Sequence, residues 1–403
     1  MAKFRDLKVG CFLLLATCLV SGCASTSKPA VVVEAPEIEL PTTTIEIIDP
    51  ELVSIPLPNE AVPVAPPEPS TKNNVIIRTY YGTNRRATGS KLPYQAYGTH
   101  EGELSYGVAD VSIPRDHRLG VLESPKSGMR AFENKNKHIM LMGLQPVERE
   151  LLLTLIAQDV ENSDGKSAMV FIHGYTVSFE DAARRTAQLS YDLGFKGVPI
   201  FYSWPSWENK WKYKQDGEVI KRSTPKFAAF LEDIFKRTGV ENVYLIAHSM
   251  GNRAMVEAMS TLIQDDQIRP KIRQLILTAP DVKASEFEEN YAPALVGAGA
   301  PVTIYASSRD IALMASREVN EGDRRLGDTK DEVSVMKGIE TIDASAVKTD
   351  FMGHSYFAES GSVVSDIFYL FRTNLRPELR FNMKGVDIQR GRYWAFQSSL
   401  CTP

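Results

Sequence analysis

The string Ala247-His248-Ser249-Met250-Gly251 has the residue types and spacing of a nucleophile held on a sharp bend. It follows an apolar run at 243–247 and precedes a stretch of helical periodicity at 252–263. A serine on so tight a strand-to-helix turn sits in a strained backbone conformation with its hydroxyl exposed, and the residues two before and two after it must be small. Ala247 and Gly251 meet that need. The helix that opens here also brings orphan amides and the positive end of its dipole to the place where an oxyanion would form. The chemistry such a serine does is attack on an acyl carbon. A serine that merely caps a helix is the plainer alternative, but it leaves the preceding strand and the two small residues unexplained.

A serine nucleophile needs a base, an acid that orients the base, and donors for the oxyanion. Triads built on this kind of turn run serine, acid, histidine along the chain. Of the six histidines only His354 follows Ser249, within Asp350-Phe351-Met352-Gly353-His354-Ser355-Tyr356. Two acids sit just past an apolar strand signal: Asp310, after 302–306, and Asp281, after 275–278. Asp310 is favoured because the acid usually follows the penultimate strand; Asp281 is the alternative, or a loop brace. His248 precedes the serine on the turn and is expected to point elsewhere. The oxyanion donors expected are the Met250 N–H and the Tyr175 N–H, the latter in Phe171-Ile172-His173-Gly174-Tyr175, where Gly174 permits a close backbone approach. His173 is expected to brace that loop. Trp204 and Trp207, in an aromatic loop with Trp211 and Tyr213, are candidates for a substrate pocket or lid, with ordinary packing as an equal alternative. There is no H-E-x-x-H and no C-x-x-C, so neither a metal nor a cofactor is expected.

These groups need a frame. Three short apolar runs, 168–172, 199–203 and 243–247, are each followed by a helical pattern, at 178–193, 225–237 and 252–263, and further runs come at 275–278 and 302–306. Strands apolar on both faces, alternating with amphipathic helices, predict a mostly parallel sheet with helices on both sides. The earlier segments 75–81 and 103–113 have no helix between them, which predicts an antiparallel N-terminal extension of the sheet; a helix is expected over 148–160.

The first 72 of the 403 residues have another character. Lys3, Arg5 and Lys8 precede a twelve-residue run at 9–20, too short to span a bilayer, which needs about 20 apolar residues. The run reads as the core of a signal peptide. Leu19-Val20-Ser21-Gly22-Cys23 resembles the bacterial lipobox, which implies removal of 1–22 and lipidation of Cys23. Ala24 in the next position implies outer-membrane sorting. Cys11 and Cys18 would leave with the signal, so Cys401 would have no partner for a disulfide within the chain. Residues 23–72 hold ten of the 23 prolines and eight acids against two lysines, a semi-rigid acidic tether. Extended, it would reach on the order of 150 Å at about 3.1 Å per residue. The remaining 73–403 form the expected catalytic domain. With a net charge of −4 overall and a near-neutral domain, the chain has no basic excess for nucleic acid and no strong field for a charged substrate.

Taken together, the chain resembles the α/β-hydrolase superfamily, and within it a poorly characterised bacterial esterase-like family, often described as a domain of unknown function. The resemblance is carried by Tyr81-Gly82-Thr83-Asn84-Arg85, Leu104-Ser105-Tyr106-Gly107, Val111-Ser112-Ile113-Pro114, Phe171-Ile172-His173-Gly174-Tyr175, Tyr202-Ser203-Trp204-Pro205-Ser206, the Ser249 turn through Arg253, Ala279-Pro280-Asp281 and Gly353-His354-Ser355-Tyr356. It implies a serine-hydrolase fold and a Ser-His-Asp triad acting through an acyl-enzyme; it implies no particular substrate. The leading expectation is a membrane-anchored, periplasm-facing hydrolase of small-molecule or lipid carboxylic esters. An acyltransferase or peptidase on the same triad, or a non-catalytic envelope-binding lipoprotein that retains the fold, are the alternatives.

Overall fold

Alternation along the central strands sorts their side chains into two separate cores. The computed structural model describes residues 64–125, 130–320, 322–347, 358 and 360–397. In strand β4 (Ser167–Ile172), Ala168, Val170 and Ile172 join one core, while Met169 and Phe171 join the other. In β6 (Asn242–His248), Val243, Leu245 and Ala247 face the first and Ile246 the second. Successive strand residues point to opposite sides, so a run apolar at every position has to be covered on both.

The helices supply that cover. On one face lie α1 (Arg149–Glu161), α3 (Tyr213–Arg237), α4 (Gly251–Leu262) and the short α5 (Ala292–Gly297). On the other lie α2 (Phe179–Asp192), α6 (Ile311–Val319) and α7 (Gly361–Thr373). Between them runs a sheet of eleven strands, completed by β1 (Asn74–Ala87), β2 (Tyr97–Pro114), β3 (Met140–Val147), β5 (Val198–Ser203), β7 (Ile272–Thr278), β8 (Val302–Ala306), β9 (Ile339–Asp343), β10 (Met383–Ile388) and β11 (Gly391–Phe396). Their order is β10-β11-β9-β8-β7-β6-β4-β5-β1-β2-β3. From β1 to β9 across the middle the neighbours are parallel. This is the expected α/β-hydrolase architecture.

The N-terminal extension is antiparallel as expected. β2 pairs with β1 through Tyr80↔Val108 and with β3 through Val108↔Gln145, while β1 joins the parallel sheet through Tyr80↔Ile200. Residues from Val64 already lie on the domain, earlier than the expected boundary at 73: Ala65 N–H donates to Gln145 Oε1 at 2.8 Å, and Arg78 donates to the Ala65 carbonyl at 2.9 Å. At the other end, the stretch after 375, for which the sequence carries no expectation, supplies the β10–β11 hairpin. It enters the sheet through Trp394↔Ile342.

One boundary needs correction. The helix expected over 225–237 starts twelve residues earlier, and Pro225 lies inside it. Proline in a helix interior costs about 3 kcal/mol. Val219, Ile220, Phe227, Phe230, Leu231 and Ile234 bury one face of α3. At roughly 1.5–3 kcal/mol for each such side chain, that burial outweighs the defect.

The loop after β2 is pinned to the end of α2 by a histidine between two carboxylates. His117 Nδ1 lies 2.7 Å from Glu123 Oε2, and Nε2 lies 2.8 Å from Asp192 Oδ1. Burial alone would lower its pKa; the hydrogen bonds to Asp192 and Glu123 override it and hold the imidazole up at about 9. A histidine whose folded pKa is raised contributes stability that is complete below its unfolded value of about 6.5 and is lost as pH rises through about 9. Denaturant unfolding between pH 6 and pH 9.5 is therefore expected to show stability falling with pH. His117→Gln should flatten that slope; an unchanged slope would assign it elsewhere.

Candidate active site

Ser249 follows the last residue of β6 and has φ 53°, a left-handed conformation that a non-glycine residue adopts only under constraint. The constraint comes from β7. Ser249 N–H donates to the Thr278 carbonyl at 3.0 Å, and Thr278 Oγ1 donates to the Ala247 carbonyl at 2.8 Å. The Ser249 carbonyl accepts from the amides of Asn252 at 3.1 Å and Asp281 at 3.2 Å, and from Asn252 Nδ2 at 2.9 Å. The turn is thus locked on both sides, and α4 begins at Gly251.

Gly251 has to be small because a neighbouring strand crowds it. A Cβ there would lie 2.5 Å from the His173 carbonyl oxygen and 2.9 Å from that of Ile172. Those carbonyls lie at the end of the neighbouring strand β4. Gly174 is pressed against the serine itself: its Cβ would lie 2.7 Å from Ser249 Cβ and 3.2 Å from Oγ. The loop expected to carry the second oxyanion donor therefore runs directly over the serine side chain. Met250 holds the N-cap of α4, where the amide has no partner within its own helix.

The loop is built on His173. Burial, and then the charge of Arg85, push the His173 pKa down to about 3, so the ring is neutral. Nδ1–H donates to the Gly174 carbonyl at 2.7 Å, which leaves Nε2 to accept from Ser203 Oγ at 3.0 Å. Trp204 stacks on the ring at 5.3 Å and donates from Nε1 to the His173 carbonyl at 2.8 Å. Trp204 is fully buried, so it supports this loop from beneath and presents no face to a pocket. Trp207 is half-buried against His100 and Lys212, and Trp211 is 82% exposed.

The two acids occupy different settings. Asp281 is engaged on both oxygens: Oδ2 accepts from Tyr213 Oη at 2.5 Å and Arg253 Nη2 at 3.1 Å, and Oδ1 accepts from Ser316 Oγ at 2.6 Å. Asp310 caps α6, with Oδ1 accepting from the Leu313 amide at 2.9 Å, and is buried just past β8. Tyr175 stands near both. Its hydroxyl pKa is raised by burial first, then by the charges of Asp281, Asp310 and Asp216. His354 and Cys23 lie outside the described residues. Among the described residues no cluster of three or more His, Cys, Asp or Glu side chains is arranged to hold a metal.

Arg85 and Asp216, for which the sequence suggested no role, both hold the loops around Ser249. Arg85, fully buried, donates from Nε to Ser203 Oγ at 2.9 Å, from Nη2 to the Val177 carbonyl at 2.6 Å and from Nη1 to the Gly98 carbonyl at 3.1 Å. It ties the N-terminal extension to the loop over the serine. Asp216 accepts from Ser206 Oγ at 2.7 Å and the Trp207 amide at 2.9 Å. The signal for Arg85 was its place at the end of a β-rich run, where an arginine ordinarily reads as surface. Arg85→Met would leave one buried and two partly buried acceptors without their donor, and charged hydrogen bonds contribute roughly 1.5–3 kcal/mol each. Denaturant unfolding is expected to show a loss on the order of 3 kcal/mol or more; a loss within 0.5 kcal/mol, about the scale of a surface substitution, would refute the bracing role.

A family model described as an alpha/beta hydrolase of unknown function (DUF900) matches residues 149–372. No curated protein matches the chain. Among solved structures, an inhibited esterase B from Lactobacillus rhamnosis is 12% identical, with 75% of this chain and 87% of that one covered and a TM-score of 0.32. Est1E from Butyrivibrio proteoclasticus is 15% identical over 53% of this chain and 90% of its own, with a TM-score of 0.32. Carboxylesterase CesB from Bacillus subtilis is 10% identical over 52% and 85%, with a TM-score of 0.31. Overlaps this weak carry no activity over to this chain. The family match spans β4 to β9 and leaves the N-terminal extension and the C-terminal hairpin outside it.

Proposed function

Because the chain belongs to the DUF900 family of α/β hydrolases, we propose that it is a serine hydrolase of carboxylic esters. The observation that carries the proposal is the left-handed Ser249 between β6 and α4, with the Gly174 backbone against its side chain. Ser249 Oγ attacks the carbonyl carbon while His354 takes its proton. The amides of Met250 and Tyr175 receive the oxyanion. Collapse of the tetrahedral intermediate breaks the C–O bond, and His354 returns the proton to the departing alcohol. Water then repeats the sequence on the acyl-enzyme and releases the acid. Asp310 is assigned to orient His354, because Asp281 already has both oxygens committed to Tyr213, Arg253 and Ser316.

Two measurements test this. A panel of short- and medium-chain acyl esters should be hydrolysed. A fluorophosphonate probe should label the folded protein at Ser249, located by peptide mapping. Folded protein that takes no label would favour the non-catalytic binding lipoprotein.

On this reading the enzyme sits on the periplasmic side of the outer membrane, anchored through lipid on Cys23, since more than one acyl chain gives firm anchoring where a single chain would be marginal. Cys23→Ser is expected to move the protein from the membrane fraction to the soluble fraction and to abolish incorporation of a labelled fatty acid. Retention of both would remove the anchor.

A further inference from the structure

The loop over Ser249 is strained at its middle. Thr176, the residue after Tyr175, has φ 57°, a left-handed backbone that a β-branched residue adopts only where its surroundings impose it. Trp204 holds the start of this loop through the His173 carbonyl, and Arg85 holds its end through the Val177 carbonyl. Tyr175 and Thr176, between those two points, meet the first turn of α3. The rings of Tyr213 and Tyr175 pack edge to face, with centroids 5.5 Å apart and planes at 80°. Three residues after Tyr213, Asp216 is buried, and the Thr176 amide favours its charged form.

Tyr213 is itself fastened at its far end. Its hydroxyl donates to Asp281 Oδ2 at 2.5 Å, accepts from Arg253 Nη2 at 2.6 Å and lies 2.5 Å from Ser316 Oγ. A buried phenol is satisfied by a single acceptor. Here a carboxylate, a guanidinium and a second hydroxyl, from three separate segments, meet at one oxygen. Two of those partners also hold the nucleophile turn. Asp281 N–H donates to the Ser249 carbonyl at 3.2 Å, and Arg253 N–H donates to the Met250 carbonyl at 3.0 Å. Arg253 Nε donates to the Asp281 carbonyl at 2.8 Å and closes the set. One side chain thus touches the Tyr175 loop at its ring and the supports of the serine turn at its hydroxyl.

We infer that Tyr213 is a positioning residue for the hydrolysis, keeping the Tyr175 amide in register with Ser249 by joining their two supports. The inference rests on the serine-hydrolase reading of this site. An oxyanion donor serves the reaction only where it is already in place, and a displacement of about 1 Å can cost on the order of a hundredfold.

Tyr213→Phe and Tyr213→Ala in the full chain test it. The first keeps the ring and loses its fastening; the second loses both. With 4-nitrophenyl butyrate, kcat is expected to fall about tenfold in Tyr213→Phe and about a hundredfold in Tyr213→Ala, with KM within about threefold of wild type. Fluorophosphonate titration separates positioning from folding. Each variant should still label one Ser249 per chain, at a rate lowered in the same order. Fewer labelled sites, each reacting at the wild-type rate, would make Tyr213 merely structural and overturn the inference. So would a loss confined to KM, or a Tyr213→Phe protein with wild-type kcat. Tyr213→Phe removes one oxygen, so it decides the question even where Tyr213→Ala does not fold. Wild-type protein that takes no label would refute the Ser249 reading and this inference with it. Wild type that labels beside a variant labelling at the same rate refutes the inference alone.

Discussion

Replacing Ser249 by alanine is expected to abolish ester hydrolysis while leaving the protein folded. Loss of the nucleophile in a serine triad lowers kcat by roughly four to six orders of magnitude, and what remains comes from oxyanion binding and substrate positioning. The fold should tolerate the change because the bonds that hold the turn are made by backbone, from Ser249 N–H to Thr278 and from Asn252 and Asp281 to the Ser249 carbonyl. The left-handed φ is equally strained for serine and alanine, so unfolding free energy should stay within about 1 kcal/mol of wild type. Steady-state kinetics with circular dichroism on the same preparation checks both halves. Equal hydrolysis by wild type and variant would remove Ser249 from the chemistry.

Gly174→Ala is expected to lower activity strongly without removing a reacting group. The added methyl would sit 2.7 Å from Ser249 Cβ and 3.2 Å from both Ser249 Oγ and His248 Nδ1. At 2.7 Å something has to move, and the serine turn is the better anchored partner. The loop carrying the Tyr175 amide would retreat. Losing one preorganised oxyanion donor lowers kcat by about 10²–10³. The loss should fall on kcat more than on KM if, as proposed, that amide serves the transition state. Fluorophosphonate labelling at Ser249 should slow in parallel. A variant with wild-type kcat would place the oxyanion donors elsewhere.

Much of the active-site frame was legible in the order of residue types. Apolar runs near 168–172, 199–203 and 243–247 become the strands β4, β5 and β6, because a strand covered on both faces has to be apolar throughout. The small residue at 251 was legible as a need, but its cause was not. Gly251 is crowded by carbonyls of a strand some eighty positions away in the chain. Chain order favoured Asp310 over Asp281, but said nothing of the company each keeps: Tyr213, Arg253 and Ser316 converge on Asp281 from three separate segments. For Trp204 a pocket and ordinary packing were equal in sequence; its stacking beneath His173 decides for packing.

By itself the sequence determined the sheet, its helical cover, and the serine poised between strand and helix. Those depend on periodicity and on the steric limits of a bend, which act between neighbours in the chain. Only the tertiary structure decided the start of α3, the hairpin β10–β11, the burial of Arg85 and the convergence of Tyr213, Arg253 and Ser316 on Asp281. Each of these turns on groups far apart in sequence meeting where water is excluded, and there the worth of a charge or a hydrogen bond depends on what else arrives.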